Sequence, residues 1–330
     1  MNSKAKTDLI VYPRFKELHE KIRECQELSK LAGEPKCLSL DGQTGAGKST
    51  LVRAYANAFP PVEMETGRKM PVFYLEVPAS VTIKGLASTM LSRLGDPGAH
   101  KGSLWAFNDR LPPLIEKMGI EIIILDEFQH LIETRTNKVM RDVSDWLKSL
   151  IKQTGIPCVV VGITGEVEVI LRANPQLSRL FSHRETLEPF AWDTSQPKTI
   201  QSFAKFIEYA EEAVGCKLTD TIPRLDLIYR IHYATDGVVG MIMNLMWTAM
   251  LRAKKHDQVV IELEDLEFAF IESIGKHLYQ KTNPFTTNGN GALPPVQTKS
   301  ASSPSAPAQK VKPKKRKGVD PSISQTLSAS

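Results

Sequence analysis

One eight-residue motif constrains the fold of this chain more than any other feature. Residues 42–49 read Gly-Gln-Thr-Gly-Ala-Gly-Lys-Ser and match the phosphate-loop pattern G-x-x-x-x-G-K-[ST] at every fixed position. An apolar segment at Cys37–Leu40 predicts a strand before the motif, and a helical pattern from Lys48 to about residue 58 follows it. The motif therefore lies between a strand and a helix, which is the context that a phosphate loop requires.

The residue types of this loop fit a polyphosphate. Glycines allow consecutive backbone N–H groups to point inward, and the start of the next helix adds positive potential. We expect Lys48 to reach the β- and γ-phosphates and the Ser49 hydroxyl to bind Mg²⁺, so ATP and Mg²⁺ are the predicted ligands. The predicted nucleotide-binding residues are Gly42, Gln43, Thr44, Gly45, Ala46, Gly47, Lys48, Ser49, Thr50 and Asp126.

A second motif follows a predicted buried strand. Residues 122–127 read Ile-Ile-Ile-Leu-Asp-Glu, so two acids come at the carboxyl end of the strand, where ligands bind in such sheets. Asp126 is expected to bind Mg²⁺ together with Ser49, and Glu127 to activate the attacking water. The alternative is a pair of surface acids at the end of a strand. The adjacent acids favour hydrolysis over phosphoryl transfer to a small molecule.

Apolar runs and helical patterns alternate along the first part of the chain. Further strands are predicted at 72–77, 120–125 and 158–163, and a helix that is interrupted near Pro112 and Pro113 at 104–118. Strands that are apolar on both faces predict an α/β fold in which helices cover both faces of a parallel sheet.

After Pro189 the patterns predict helices only, at 200–214, 223–234, 239–253 and 263–274. Beyond residue 282 the chain has few large apolar residues, too few to offset the entropy of ordering. The predicted divisions are an N-terminal amphipathic helix (1–35), an α/β core (36–190), a small helical lid domain (191–281) and a disordered basic tail (282–330).

Charge is distributed unevenly. Residues 282–330 contain seven of the 42 basic residues but only one of the 37 acidic residues. A basic tail therefore follows a nearly neutral body. A uniformly basic nucleic-acid-binding surface is therefore excluded, and any such binding needs a local patch or the tail. No apolar run is long enough to span a membrane. The histidines and cysteines are scattered along the sequence, so we expect no metal centre formed by these residues. We also expect the cysteines to be reduced thiols in a cytoplasmic protein.

Together these motifs resemble the AAA+ ATPases. More narrowly, residues 126–131 (Asp-Glu-Phe-Gln-His-Leu), 161–164 and 174–181 resemble the TniB/TnsC family of transposition regulators, whose members include regulators of CRISPR-associated transposons. The likeness covers residues 14–275. It implies an AAA+ core with a helical lid, and an ATPase that forms a ring or filament on double-stranded DNA.

The resemblance assigns roles to residues outside the two motifs. Thr164 is implied as a polar sensor at the tip of a strand, although it could instead cap the helix that follows. Arg179 is implied as the arginine finger that acts on a neighbouring subunit's nucleotide, and Arg184 is the alternative. Many AAA+ lids carry an arginine where this chain has Met241. Its absence favours slow hydrolysis, with ATP acting as an assembly switch.

Two basic segments are candidates for DNA contacts, since the resemblance places them at a central pore. They are the helix that carries Lys84 and the turn formed by Arg135, Thr136, Asn137 and Lys138. Solvated charged loops are the alternative. Three aromatic residues at helical spacing are predicted to lie in the core: Trp105, Phe107 and Trp146.

The resemblance implies a regulator that links a target-selection protein to a transposase, with hydrolysis driving disassembly and no membrane partner. Three alternatives are a replication-initiator or helicase-loader ATPase, a small-molecule kinase, and a nucleotide-gated scaffold that does not bind DNA. A kinase is disfavoured because the patterns predict a C-terminal helical domain and no arginine-bearing lid within the core.

Overall fold

The computed structural model describes residues 9–65, 67–132, 136–275 and 282–286. Its strands are β1 (Leu38–Gly42), β2 (Val62–Met64), β3 (Gly67–Lys69), β4 (Val72–Glu76), β5 (Ile122–Asp126), β6 (Cys158–Ile163), β7 (His183–Thr186), β8 (Lys217–Leu218) and β9 (Val260–Ile261). Its α-helices are α1 (Pro13–Ala32), α2 (Lys48–Asn57), α3 (Ile83–Arg93), α4 (Leu104–Lys117), α5 (Asn137–Thr154), α6 (Glu166–Arg172), α7 (Pro175–Leu180), α8 (Pro197–Val214), α9 (Arg224–Thr235), α10 (Val239–Lys255) and α11 (Leu263–Phe270). A 3₁₀ helix spans Phe128–Ile132, and a π-helical turn spans Ile271–Gly275.

The main sheet has the order β4-β5-β6-β1-β7, and every neighbouring pair is parallel. Glu76 pairs with Asp126, and Gly42 pairs with Ile163. The carboxyl ends of these strands therefore meet along one edge, which brings the phosphate loop close to Asp126 and Glu127 at the end of β5.

Helices cover both faces of this sheet, as the sequence predicts. Along β5, Ile122 and Ile124 pack in the core that includes α1, α2 and the C-terminal helices. Ile123 and Leu125 pack in a separate core with α3, α4 and α5. Because successive side chains of a strand face opposite ways, burial on both sides explains the uninterrupted apolar run.

The C-terminal helices surround an apolar interior that includes Ile207, Leu245 and Phe270. The two-residue strands β8 and β9 pair there, where the patterns predict helices only. Phe285 is fully buried and contacts Phe270, so the first residues of the predicted disordered tail pack on these helices. The remainder of that tail, 287–330, lies outside the described residues. The division into a core and a lid domain at residue 190 stays a prediction.

The structure corrects two expectations for helix α4. The helix is continuous through Pro112 and Pro113, because Phe107, Leu111 and Ile115 form a buried stripe that holds it against the sheet. Trp105 is 75% exposed, whereas Phe107 and Trp146 are buried as predicted. Trp105 lies two residues from Phe107, a separation that places it on the opposite side of the helix.

No single helix among the described residues is long and apolar enough to cross a membrane. Helices α9 and α10 satisfy the length and composition criteria only as a pair, and the pair is bent by 116°.

Candidate functional site

The phosphate loop connects β1 to α2 and depends on glycine at several positions. Gly45 and Gly47 have φ values of 80° and 98°, which side-chain-bearing residues rarely adopt. A Cβ atom on Gly42 would lie 2.6 Å from the carbonyl oxygen of Leu187. The motif glycines therefore permit both the turn and its close approach to β7.

Lys48 is held beneath this loop. Its ammonium donates to the carbonyl oxygens of Gly42 (2.8 Å) and Gln43 (2.9 Å), and the residue is only 6% exposed. Burial lowers the pKa of Lys48, although the nearby carboxylates of Glu127 and Asp126 oppose the shift. The loop thus presents a desolvated cation, which suits electrostatic binding of a phosphate.

Asp126 lies at the end of β5 and is fully buried. It accepts hydrogen bonds from the Ser49 hydroxyl, from the Tyr74 hydroxyl at 3.0 Å and from the backbone N–H of Glu127 at 2.9 Å. Burial raises the pKa of the Asp126 carboxyl, and these hydrogen bonds only partly counter it. The hydroxyl of Ser49 and the carboxylate of Asp126 are oxygen donors of the kind that Mg²⁺ prefers, so the two residues fit the predicted metal site.

Tyr74 is a residue of this site that sequence reasoning missed. Arg53 donates from Nε to the Tyr74 hydroxyl oxygen at 2.8 Å and forms an ion pair with Glu76. Burial raises the pKa of Tyr74 to about 12. A tyrosine between apolar residues of a strand was the available signal, but only the pairing of β4 with β5 reveals its partner.

Glu127 faces the same cavity as the phosphate loop. Its backbone has a φ of 54°, and its Oε2 accepts a 2.5 Å hydrogen bond from Nε2 of Gln129. The amide of Gln129 therefore orients this carboxylate, and the sequence motifs predict no role for Gln129.

A cavity of about 560 Å³ lies above the loop. Besides Thr44, Gly45, Gly47, Lys48, Ser49 and Thr50, its walls come from the N-terminal segment and from helices α8 and α10, which the motif analysis did not assign to the site. Those further lining residues include Leu9, Ile10, Tyr12, Phe15, Phe206, Val239, Gly240, Met243, Asn244 and Trp247. A largely apolar wall beside a phosphate loop is suited to a planar base.

A family model for the bacterial TniB protein matches residues 1–191, more than half of the chain. This chain belongs to the TniB family. No curated protein matches it.

Solved structures show that the TniB-family chain has the fold of AAA+ phosphate-loop ATPases. It is similar to the ORC1 protein of Aeropyrum pernix in complex with DNA, with 19% identity, a TM-score of 0.55 and coverage of 80% of this chain and 66% of that one. The ORC2 protein of the same organism has 16% identity and a TM-score of 0.57, with coverage of 81% of this chain and 71% of that one. Cdc6p of Pyrobaculum aerophilum has 14% identity and a TM-score of 0.57, with coverage of 81% of this chain and 69% of that one. The chain thus spans about two thirds of the length of these proteins.

The start of helix α10 contacts the phosphate loop through Gly240, the residue before Met241. The N–H of Gly240 donates to the carbonyl oxygen of Gly45 at 2.8 Å, whereas Met241 packs against the apolar core. A Cβ atom on Gly240 would lie 2.8 Å from the same oxygen, so the missing side chain allows the two backbones to touch. Neither residue can supply the charge of a lid arginine.

Thr164 follows β6 and is exposed. Its backbone N–H donates to the carbonyl oxygen of Gly42, with 3.3 Å between the nitrogen and the oxygen. The N-cap of α6 is Gly165, without a side-chain hydrogen bond. The alternative role of Thr164 as a helix cap therefore finds no support, and its sensor role stays a prediction.

The two arginines considered as fingers differ in their surroundings. Arg184 forms an ion pair with Glu168 and donates to the Ser178 hydroxyl at 2.6 Å. Arg179, at the end of α7, is exposed and makes no hydrogen bond or ion pair with any residue that the structure describes. Arg179 is therefore the one available to a neighbouring molecule.

The predicted DNA-contacting residues lie near the starts of helices α3 and α5, which follow the adjacent strands β4 and β5. Lys84 is exposed, with its ammonium 5.8 Å from the centre of the Phe107 ring. Thr136 caps α5 and Lys138 is exposed beside it, while Arg135 lies outside the described residues. Both helices follow strands that end at the carboxyl edge of the sheet.

Proposed function

We propose that this TniB-family chain is an ATPase that assembles on double-stranded DNA in its ATP-bound form and regulates transposition. The family match carries the proposal. Lys48, Ser49 and Glu127 line one cavity, and the buried Asp126 accepts a hydrogen bond from Ser49. This arrangement supports the ATPase part of the proposal.

The polar residues of the site would have distinct parts in hydrolysis. Lys48 would bind the phosphates, and Ser49 with Asp126 would hold Mg²⁺. That ion, when bound, neutralises phosphate charge. Glu127 orients a water molecule and accepts its proton as the water attacks the γ-phosphate. Thr164 would contact the γ-phosphate or this water.

Arg179 completes the site of a neighbouring subunit, so activity requires a homo-oligomer, either a ring or a filament. Its guanidinium is exposed and has no partner among the described residues, which supports this role, since a cation there would stabilise transition-state charge. With no arginine at the start of α10, hydrolysis would be slow and would serve to disassemble the oligomer.

Lys84, Thr136 and Lys138 would contact DNA phosphates without reading bases. The assembled protein would link a target-selection protein to a transposase, as in CRISPR-associated and related transposons. A replication-initiator or helicase-loader role is the second possibility, since similar structures include the ORC1 protein of Aeropyrum pernix in complex with DNA. The TniB match favours transposition over that role.

The proposal is tested by measuring DNA binding and ATP turnover together. With ATP, the wild type should bind duplex DNA with little sequence preference and less tightly as salt rises. Lys48→Ala should lose nucleotide and DNA binding, whereas Glu127→Gln should bind both but turn over roughly 10²–10⁴-fold more slowly. Lys205→Ala, an exposed lysine on α8, serves as the control. In a transposition assay with the transposase, Lys48→Ala should abolish insertion.

DNA binding that is independent of nucleotide would contradict the switch. Normal insertion by Lys48→Ala would contradict the transposition role. Normal turnover by Glu127→Gln would remove that residue from the chemistry.

A further inference from the structure

Gln129 lies in the 3₁₀ helix that directly follows the two acids, outside the phosphate-loop motif. Its side-chain amide donates from Nε2 to Oε2 of Glu127 at 2.5 Å. Among the residues that the structure describes, no other side chain forms a hydrogen bond with the Glu127 carboxylate. The orientation of this carboxylate therefore depends on one amide.

The other end of the amide is packed against strand β6. Oε1 of Gln129 is buried and finds no hydrogen-bond donor among the described residues. A Cβ atom on Gly162 would lie 2.5 Å from that oxygen, so the glycine leaves the space that the amide fills. The reverse amide orientation would place an oxygen against the Glu127 carboxylate, which fixes the donor toward Glu127.

The backbone at Glu127 adds to this arrangement. Its φ of 54° is uncommon for a residue with a side chain, and its N–H is committed to Oδ1 of Asp126 at 2.9 Å. Such conformations persist where surrounding contacts maintain them. The backbone directs Glu127 toward the cavity, and Gln129 fixes the rotation of its carboxylate.

We propose that Gln129 is a positioning residue for hydrolysis: its amide holds Oε2 of Glu127 so that Oε1 is presented to the attacking water. This inference rests on the proposed ATPase function. Oε1 of Gln129 is buried and has no donor among the described residues, which is unfavourable for folding and fits a side chain that acts on the neighbouring carboxylate.

The test compares two substitutions of similar size in the full-length protein with Mg²⁺-ATP and duplex DNA. Gln129→Leu removes the donor, and Gln129→Glu places a second carboxylate against the first. Both should lower kcat by about tenfold or more, because a misplaced base loses its geometry in the transition state. KM and the affinity for a fluorescent ATP analogue should change little, since Gln129 does not line the cavity. Gln153→Leu, an exposed glutamine on α5, is the matched control.

A double substitution separates positioning from general damage to the fold. In a Glu127→Gln background, Gln129→Leu should cause no further loss of kcat, because the group it positions is already absent. Two results would overturn the role of Gln129 while leaving the ATPase proposal intact. One is wild-type kcat in both single variants. The other is a loss of kcat/KM that comes entirely from a higher KM. A wild type whose turnover does not exceed that of Lys48→Ala would overturn both.

Discussion

At residue 240 the absence of a side chain lets helix α10 touch the phosphate loop. The N–H of Gly240 belongs to the first turn of the helix, where backbone donors have no partner within the helix, and the carbonyl oxygen of Gly45 accepts it. This contact joins the C-terminal helices to the residues that would surround a phosphate. The position of α10 is therefore expected to influence nucleotide affinity.

Gly240→Ala tests this contact. The new Cβ atom would lie 2.8 Å from a backbone oxygen that cannot rotate away, so α10 must shift. We expect a cost of about 1–3 kcal/mol, offset in part by the ~0.5–1 kcal/mol that alanine gains over glycine in a helix. Melting should occur a few degrees lower and KM for ATP should rise. In the control Gly98→Ala, the new atom meets the end of the Arg110 side chain. An unchanged KM in Gly240→Ala would show that α10 does not affect nucleotide binding.

The sequence predicts those site residues that belong to a local motif with a known chemical role. Lys48, Asp126 and Glu127 are of this kind, because fixed spacing relative to a strand defines their positions. Tyr74 and Gln129 could not be predicted, since their roles depend on the pairing of β4 with β5 and on the packing of an amide against β6.

At the scale of elements, an ion-pair cluster attaches helix α1 to the edge strand β7. Glu185 on β7 accepts hydrogen bonds from Lys21 and from Arg14 on α1. Burial alone would raise the pKa of Glu185, but the hydrogen bonds from Lys21 and Arg14 outweigh it and lower that pKa below its ordinary value of 4.5. The cluster therefore stabilises the fold only while Glu185 is ionised.

Glu185→Gln should destabilise the protein at neutral pH by about 1 kcal/mol, because the cations are partly exposed and screened. Since the folded pKa is depressed, the contribution is present above the unfolded pKa and is lost as pH falls through the folded value. The difference in unfolding free energy between wild type and variant should thus shrink below about pH 4.5. Denaturant titrations at several pH values measure it. Glu17→Gln, half-exposed beside the same cations, should have a smaller effect. A difference that persists at acid pH would exclude the ion pairs as its source.

Elements with a sustained apolar pattern are predicted well, and short exposed ones are missed. The prediction for β6 matches its observed bounds, and α1 lies within the segment 1–35 for which an amphipathic helix is predicted. The hairpin of β2 and β3 was not predicted because its strands are three residues long and mostly exposed, so they carry no alternation of apolar residues. The burial of Phe285 was missed for a related reason: a single aromatic residue in a polar segment forms no periodic pattern.

For the whole molecule, the availability of Arg179 is the feature that points beyond one chain. Arg184 is held by Glu168 and Ser178 of its own chain, so its guanidinium is already committed. Arg179 has no such partners among the described residues, and its helix α7 lies immediately before the edge strand β7. A residue so placed can act on a nucleotide bound by another subunit.

Mixing two nearly inactive variants tests this arrangement. Arg179→Ala should lower turnover by on the order of 10³–10⁵, as loss of an arginine finger does in related phosphoryl-transfer systems. Glu127→Gln should turn over roughly 10²–10⁴-fold more slowly than the wild type but still bind nucleotide and DNA. In mixed oligomers on DNA, some interfaces pair an intact Glu127 with an intact Arg179, so part of the ATPase activity should return. Arg184→Ala, run in parallel, should retain turnover. A mixture that stays inactive although co-assembly is verified, or full activity of Arg179→Ala alone, would exclude Arg179 as the finger.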